Sequence, residues 1–525
     1  MFVLFFCIEL TTVPKSAIIA LQMPTGIKRG KERVMRRTIK IALLLCLMLL
    51  VSALLLTACN NNDTPANNNQ QTTPEETTLA ETTPEGTTSE VTTPEETTPE
   101  ETTLGENNTP PASPSVGLEY RINNDATTCY IAELGACIDS DIVIPSSIDG
   151  FKVTSIGDGA FSGYSNLTSI TIPDSVTKIG YLTFADCSNL TSIRIPDSVT
   201  SIGWYAFSDC SSLTSIRIPD SVTSIGWYAF SGCSSLTSIR IPDSVTSIGD
   251  GAFSGCSNLT SIRIPDSVTS IGDLAFAYCS NLMSITIPDS VTSIGVSAFE
   301  GCSNLTSIAV SDGNTAYEAK GNCLIKKSSK TLVVGCRNSA IPVDGSVTSI
   351  GRYAFSGCSN LTSITIPDSV TSIGDSVFSG CSNLTSITIP DSVTRIGDLA
   401  FYDCSKLKSI LIPNSVTSIG DGVFSGCSSL TDVKLGNEIT HLDYSPIYGY
   451  SGGMFEGCTA LTNITLPDSV IGIGYAAFCN CSSLTSITFK GTTAQWNAIT
   501  LGDDWNYNVP ATEVICSDGV VSLIS

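Results

Sequence analysis

Histidine is almost absent from this chain: its 525 residues include one, His441. That residue sits in H-L-D-Y with no partnered Ser or Cys motif beside it, so it meets no geometric criterion for a general base. Basic residues are scarce as well. There are 26 Lys and Arg against 49 Asp and Glu, a formal charge of −23. Phosphate binding needs a net basic field, which excludes nucleic acid as a whole-surface partner. The acidic balance suits a soluble surface protein. The glycine-rich nonapeptide of calcium-binding repeats is also lacking. The recurring Asp174, Asp197, Asp220, Asp243, Asp266 and Asp289 therefore read as turn residues capping backbone amides. No catalytic set emerges, and no cofactor or metal is expected.

One long apolar run is present, residues 41–56, IALLLCLMLLVSALLL. Lys28, Arg29, Lys31, Arg33, Arg36, Arg37 and Lys40 precede it, and it is short for a spanning helix. Basic, then apolar, then small residues is the order of a secretory signal. The run ends in Leu56-Thr57-Ala58-Cys59, which resembles the lipobox of bacterial lipoproteins. That resemblance implies that Cys59 is acylated on sulfur and becomes the first mature residue. The alternative is an uncleaved anchor, and either reading places the remainder outside the cytoplasm. A start at Met35 would leave the signal complete, so residues 1–34 read as an over-extended start.

Residues 60–115 have almost no large apolar side chain and contain no Lys or Arg. Thr, Pro, Glu and Asn dominate, with T-T-P-E-E-T-T repeated at Thr72 and Thr92. Such a segment cannot bury enough apolar surface to offset its ordering entropy, and its acidic charge extends it further. It is expected to be a disordered stalk, roughly 40 Å as a coil and up to ~170 Å as polyproline II.

From about Val153 the chain repeats one sentence, C-S-N-L-T-S-I-T-I-P-D-S-V-T-S-I-G-D-G-A-F-S-G. Cys187, Cys210, Cys233, Cys256, Cys279, Cys302, Cys358, Cys381, Cys404 and Cys427 mark the 23-residue period, with Cys458 and Cys481 following a short insertion. In one rung the apolar set is Leu190, Ile193, Ile195, Val199, Ile202 and Phe207. Ile193 and Ile195 alternate with Ser192 and Arg194, which is a strand with one buried face. Pro196-Asp197 ends the strand. Gly203 is expected to take a positive φ, and residues 204–208 a short helical turn. No rung can bury its apolar side alone, so about 13 rungs should stack at about 4.8 Å into a parallel solenoid roughly 60 Å long.

The pattern L-x-x-I-x-I-P-x-x-V-x-x-I-G with A-F-x-x-C resembles the BspA-like leucine-rich-repeat family over about 400 residues. One departure is the usual hydrogen-bonding Asn, whose place Val199 and its equivalents take. An asparagine ladder should be absent, with an apolar column in its stead. N-T-A-Y-E-A-K-G-N-C-L-I within residues 309–343 resembles a hairpin-like island of that family. I-P-S-S-I-D-G-F-K-V resembles its opening cap, and G-T-T-A-Q-W-N-A-I with Cys516-Ser517-Asp518-Gly519 its closing cap. The expected organisation is a signal region (1–58), a lipid-anchored stalk (59–116), an opening cap (117–152), repeats (153–308), an island (309–345), repeats (346–490) and a closing cap (491–525). The resemblance implies attachment to macromolecules at the outer face of the cell envelope. The partner would be an extracellular protein or glycan, and the membrane would be met through the lipid. The alternative is a structural envelope protein with no foreign ligand.

Two features depart from the repeat background. Arg194, Arg217, Arg240 and Arg263 fill one solvent-facing strand position that is Thr171, Thr286, Thr365 or Thr388 elsewhere. Stacked like charges cost stability, so the column requires a reason. It reads as a basic stripe for an acidic loop or an acidic glycan, unless Asp197, Asp220, Asp243 and Asp266 neutralise it. Tyr181, Trp204, Tyr205, Trp227 and Tyr228 cluster nearby, and Trp, Tyr and Arg anchor interfaces. Recent duplication of one rung would produce the same pattern without a ligand. The cysteine column reads as buried thiols, since side chains in register stand too far apart at Cβ for disulfides. Cys129 with Cys137, and Cys323 with Cys336, are better disulfide candidates. The N-L-T tripeptides at Asn166, Asn189, Asn258 and Asn304 recur for structural reasons.

Lipidation is directly testable. Metabolic labelling with a fatty-acid analogue should mark the wild-type chain and leave Cys59→Ala unmarked; equal labelling of the two would end the assignment.

Overall fold

The structure, a computed structural model, describes residues 113–442 and 452–523. The signal region, Cys59 and the stalk up to residue 112 lie outside the described residues, as do residues 443–451. The repeats form a parallel solenoid of about 16 turns of about 23 residues. Rungs carrying the buried phenylalanine, from Phe161 to Phe478, account for the thirteen read from the repeat. The further turns belong to the caps and the island, where the repeat sentence is broken. At the strand spacing of about 4.8 Å, sixteen turns extend roughly 75 Å.

Each rung makes three passes. The first is the short strand Ser192–Arg194 and its equivalents, with Ile193 inward and its neighbours outward. It stacks in register on Ser215–Arg217, so Ile216 lies on Ile193 and Arg217 on Arg194. The second pass is the two-residue strand Ser201–Ile202, paired with Lys178–Ile179. Two residues are too few to show alternation, so this second sheet has no signature in the sequence. Between the two strands Val199 is fully buried, and Ser267 Oγ–H donates to Val245 O at 2.6 Å in the equivalent position. The hydroxyl next to the apolar column thus takes over the ladder role that an asparagine would serve.

The third pass is not helical. Ala206, Ser208 and Cys210 N–H bond back three residues, to Gly203, Tyr205 and Phe207 O. Tyr205, Phe207 and Asp209 N–H instead reach forward one rung, to Trp227, Ala229 and Ser231 O at 2.7–2.8 Å. A helix needs every amide for its own ladder, whereas here alternate amides tie rung to rung. Positive φ falls on Tyr205 (55°) and Asp209 (59°), and not on Gly203. Gly203 has another role: a Cβ there would lie 2.4 Å from Gly180 O, so the glycine column permits close approach of successive backbones.

The island contains three antiparallel strands, Tyr317–Lys320, Cys323–Lys326 and Thr331–Val334, the last pairing in parallel with Ser349–Ile350. On the turn side the coil passes it by, with Gly301 N–H bonded to Ser356 O at 2.9 Å. The core accordingly divides in two. Leu324 packs into the first half, and Cys323 and Ile325 into the second, so the middle strand is a partition buried on both faces. At the amino end Glu119–Ile122 pairs antiparallel with Thr128–Glu133. At the carboxyl end Thr492 caps the helix Thr493–Trp496, and Trp496 and Trp505 close over Phe489 and Phe478.

The Phe column runs through the core. Phe207 is fully buried, its ring stacked between Phe184 at 5.3 Å and Phe230 at 5.4 Å. Phe207→Ala should therefore cost about 3–5 kcal/mol. The loss should be partly local, because rungs couple mainly to their neighbours. Thermal unfolding followed by circular dichroism measures it, and a wild-type melt would remove Phe207 from the core.

Candidate functional site: the charged and aromatic columns

Alternation along Ser192–Arg194 sends Arg194 outward, and register places Arg217, Arg240 and Arg263 above it. The repulsion expected of such a stack is relieved one rung down. Arg194 meets Asp174 at 3.5 Å, Arg217 meets Asp197 at 2.6 Å, Arg240 meets Asp220 at 2.7 Å and Arg263 meets Asp243 at 3.1 Å. Each partner is thus the aspartate of the preceding turn. Asp174 enters the set, and Asp266 does not, because the residue twenty positions after it is Thr286. The side chains stay 58–72% exposed on the arginine side. The hydrogen bond from Arg217 holds the Asp197 carboxyl below its ordinary range. A column of cations has become a lattice of alternating charge.

The aromatic residues stand on another side of the coil, just after the second strand. Trp204 and Trp227 are stacked at 4.6 Å with a 12° tilt, and Tyr205 and Tyr228 at 4.9 Å with 9°. Tyr181 meets Tyr205 edge-on at 6.0 Å. The two indoles are about half exposed, while Tyr205 and Tyr228 are half-buried and hold positive φ. The Tyr228 ring covers Gly251, where a Cβ would fall 2.2 Å from it. Arginines and indoles therefore form two separate columns, not one patch. Asp158 and Asp250, which end the indole column, were missed from sequence. Aligning rungs at the 23-residue period reveals them.

Thiols are the strongest nucleophiles present, and the fold disarms them. All described cysteines are free, including Cys129, Cys137, Cys323 and Cys336, so the two proposed disulfides are absent. Cys129 donates instead to Phe151 O and Cys336 to Asn322 O. In the column, Cys210 Sγ–H donates to Phe184 O at 3.1 Å, Cys233 to Phe207 O at 3.2 Å and Cys256 to Phe230 O at 3.3 Å. The pattern runs on to Cys481 and Phe455. The thiols are thus weak donors across rungs as well as small apolar fillers. Burial pushes Cys187 and Cys279 up to about 12. An asparagine ladder does exist, at the sequon position. Asn281 donates to Asn258, Asn304 to Asn281 and Asn360 to Asn304, at 3.2–3.3 Å. His441 stands in the two-residue strand His441–Leu442 against Gly472, with Nδ1 3.0 Å from Thr440 Oγ1. Among the described residues no group of His, Cys, Asp or Glu is arranged to hold a metal ion, and no helix is long and apolar enough to cross a membrane.

The stacked strands, tight turns and inward Leu-Ile-Val-Phe set define a leucine-rich-repeat solenoid. The sequence model of the BspA type Leucine rich repeat region matches residues 137–241, 223–334, 331–451 and 451–500, and the chain belongs to that family. A leucine rich cell surface protein from Faecalibacterium prausnitzii A2-165 is 35% identical, with a TM-score of 0.59, over 75% of this chain and 98% of that one. A leucine-rich repeat protein from Bacteroides ovatus is 30% identical over 76% and 92%, with a TM-score of 0.47. The pneumococcal vaccine antigen PcpA shares the fold at 21% identity and a TM-score of 0.52, over 77% of this chain and 98% of that one. No curated protein matches the chain. The family points to binding or adhesion in general terms, on a scaffold that is typically not catalytic.

Two measurements check the thiol assignment. In native protein at pH 8, iodoacetamide should modify the partly exposed Cys479 and spare the column, as read by peptide mapping. Alkylation of column thiols at the rate of Cys479 would place them outside the core. Above the ordinary thiol value of 9.0 the unfolded chain sheds protons that the folded core retains. Stability should accordingly be intact below pH 9 and fall as pH climbs toward 12, which melting temperatures across that window report.

Proposed function

We propose that this chain is an exported, lipid-anchored protein of the outer cell surface whose solenoid binds an extracellular protein or glycan. The observation that carries the reading is the concentration of Arg, Trp and Tyr on the rungs from Tyr181 to Arg263, within a scaffold whose outward strand positions are otherwise mostly threonine. Large aromatic and guanidinium groups held at half exposure are the groups that anchor interfaces. The cell-surface description of the F. prausnitzii relative supports the location. The lipobox-like segment ending in Cys59 supplies the anchor, and the Thr/Pro/Glu segment the spacer. In the arginine column, the contacts of Arg194, Arg240 and Arg263 with aspartate run through Nη1. An arginine fork carries five N–H donors, and a carboxylate or sulfate on a ligand can engage the rest of it.

The test is the full chain carrying R194T, R217T, R240T and R263T, which installs the residue other rungs use there. Exposed ion pairs contribute about 0–1 kcal/mol each, so the melt should shift little. Affinity for an extracellular-matrix protein or sulfated glycan that the wild type binds should fall, and its salt dependence should flatten. Unchanged affinity would move the site off this column.

A further inference from the structure

The indole column has a composition that the arginine column does not share. Read upward it is Asp158, Tyr181, Trp204, Trp227, Asp250 and Asp273. Exposures of 51% for Trp204 and 47% for Trp227 leave much apolar surface in water. Their mutual stacking at 4.6 Å fixes the ring pose without hiding it, so the pair is preorganised. The rings lie over glycines: Trp204 Cδ1 is 3.0 Å from a Cβ built on Gly226, and Trp227 Cδ1 is 3.0 Å from one on Gly249. No side chain rises there to make a wall. The glycines beneath the rings supply no side chain to enclose an apolar peptide anchor there.

Both ends of the column are carboxylates held in place. Asp158 Oδ1 accepts from Tyr181 N–H at 2.9 Å, and Asp250 Oδ1 accepts from Asp273 N–H at 3.0 Å. Each is fixed through one oxygen, and its second oxygen is an acceptor for a ligand. Above Trp227 the column falls from an indole to the short Asp250, which leaves the outer ring face without an aromatic neighbour. A sugar ring has one apolar C–H face and a rim of hydroxyls. The C–H face suits the electron-rich face of an indole, and the hydroxyls suit carboxylate acceptors. Charge selects further. Asp186 and Asp209 lie on the same rungs, and outside the arginine column Lys178 is the one cation between Val176 and Asp250. An acidic setting disfavours sulfated or uronic sugars.

We propose that the column centred on Trp204 and Trp227 binds a neutral glycan, with the indoles as the stacking surface and Asp158 and Asp250 as hydroxyl acceptors. This rests on the reading of the chain as a surface-binding protein and assigns a ligand class to one of its two columns.

The four tryptophans make the test readable, because Trp496 and Trp505 are buried in the closing cap at 3% and 7% exposure. Acrylamide quenching of the full chain therefore reports Trp204 and Trp227. The probes are hexasaccharides of glucose, xylose, mannose and N-acetylglucosamine. At least one should protect the exposed indoles and shift their emission. W204D/W227D, which installs the residue of the next two rungs, should melt like wild type and bind that hexasaccharide about tenfold more weakly or worse. The four arginine substitutions should leave saccharide binding unchanged. The proposal is overturned if none of the four sugars protects the indoles, if W204D/W227D binds as wild type does, or if only acidic oligosaccharides protect. Should the sugars fail while a protein ligand still binds the chain, the glycan assignment falls and the surface-binding reading stands.

Discussion

Most side chains in the repeats of this solenoid face the same residue type one rung away. That constraint of register selects the residues at each position, because a column is stable only if the residue stacks on itself. Phenylalanine does so face to face, from Phe161 to Phe299 and again from Phe355 to Phe478. Serine does so by passing a hydroxyl to the carbonyl of the rung before, and threonine likewise, as Thr269 donates to Thr246 O. Cysteine is small enough to fill the corner and also donates to the Phe carbonyl beneath it. Arginine cannot stack on itself without cost, and its column persists because the aspartates form a second column offset by one turn.

The same constraint separates inward from outward positions. Inward positions are held to one residue type by packing, whereas outward positions need only avoid clash, so variation collects there. The Arg and Trp columns each occupy a few successive rungs, and under the proposed function a ligand spanning several rungs would meet the same group several times. Repetition then multiplies a weak contact without any deep pocket. The buried thiols follow from the same packing. Enclosed and with their acidity suppressed, they are poorly available to oxidants in solution.

The sequence was legible where one period acts alone. The inward set Leu190, Ile193, Ile195, Val199, Ile202 and Phe207 could be read from alternation and the 23-residue repeat, and all six are buried. It was less legible where two rungs cooperate. The third pass looked helical because its residues suit a turn. Its alternate amides are engaged by the next rung, which local spacing does not reveal. Gly203 looked like a left-handed position, yet the left-handed residues are Tyr205 and Asp209, and the glycine serves a backbone contact 23 residues away. The aspartates that could neutralise the arginines on sequence lie three residues on, whereas the ones they meet lie twenty residues back, on the preceding rung. The asparagine ladder was ruled out at the Val199 position and occurs at the surface position of Asn258 and Asn281 instead.

The strand Cys323–Lys326, with Leu324 facing one core and Ile325 the other, closes the interior of both halves at once. A rung added or lost by duplication on one side need not be matched on the other, since neither core senses the length of its neighbour. The two arrays can thus lengthen or shorten separately while the partition stays constant. The near-identity of the rungs at Trp204 and Trp227 has the form that duplication of a rung leaves.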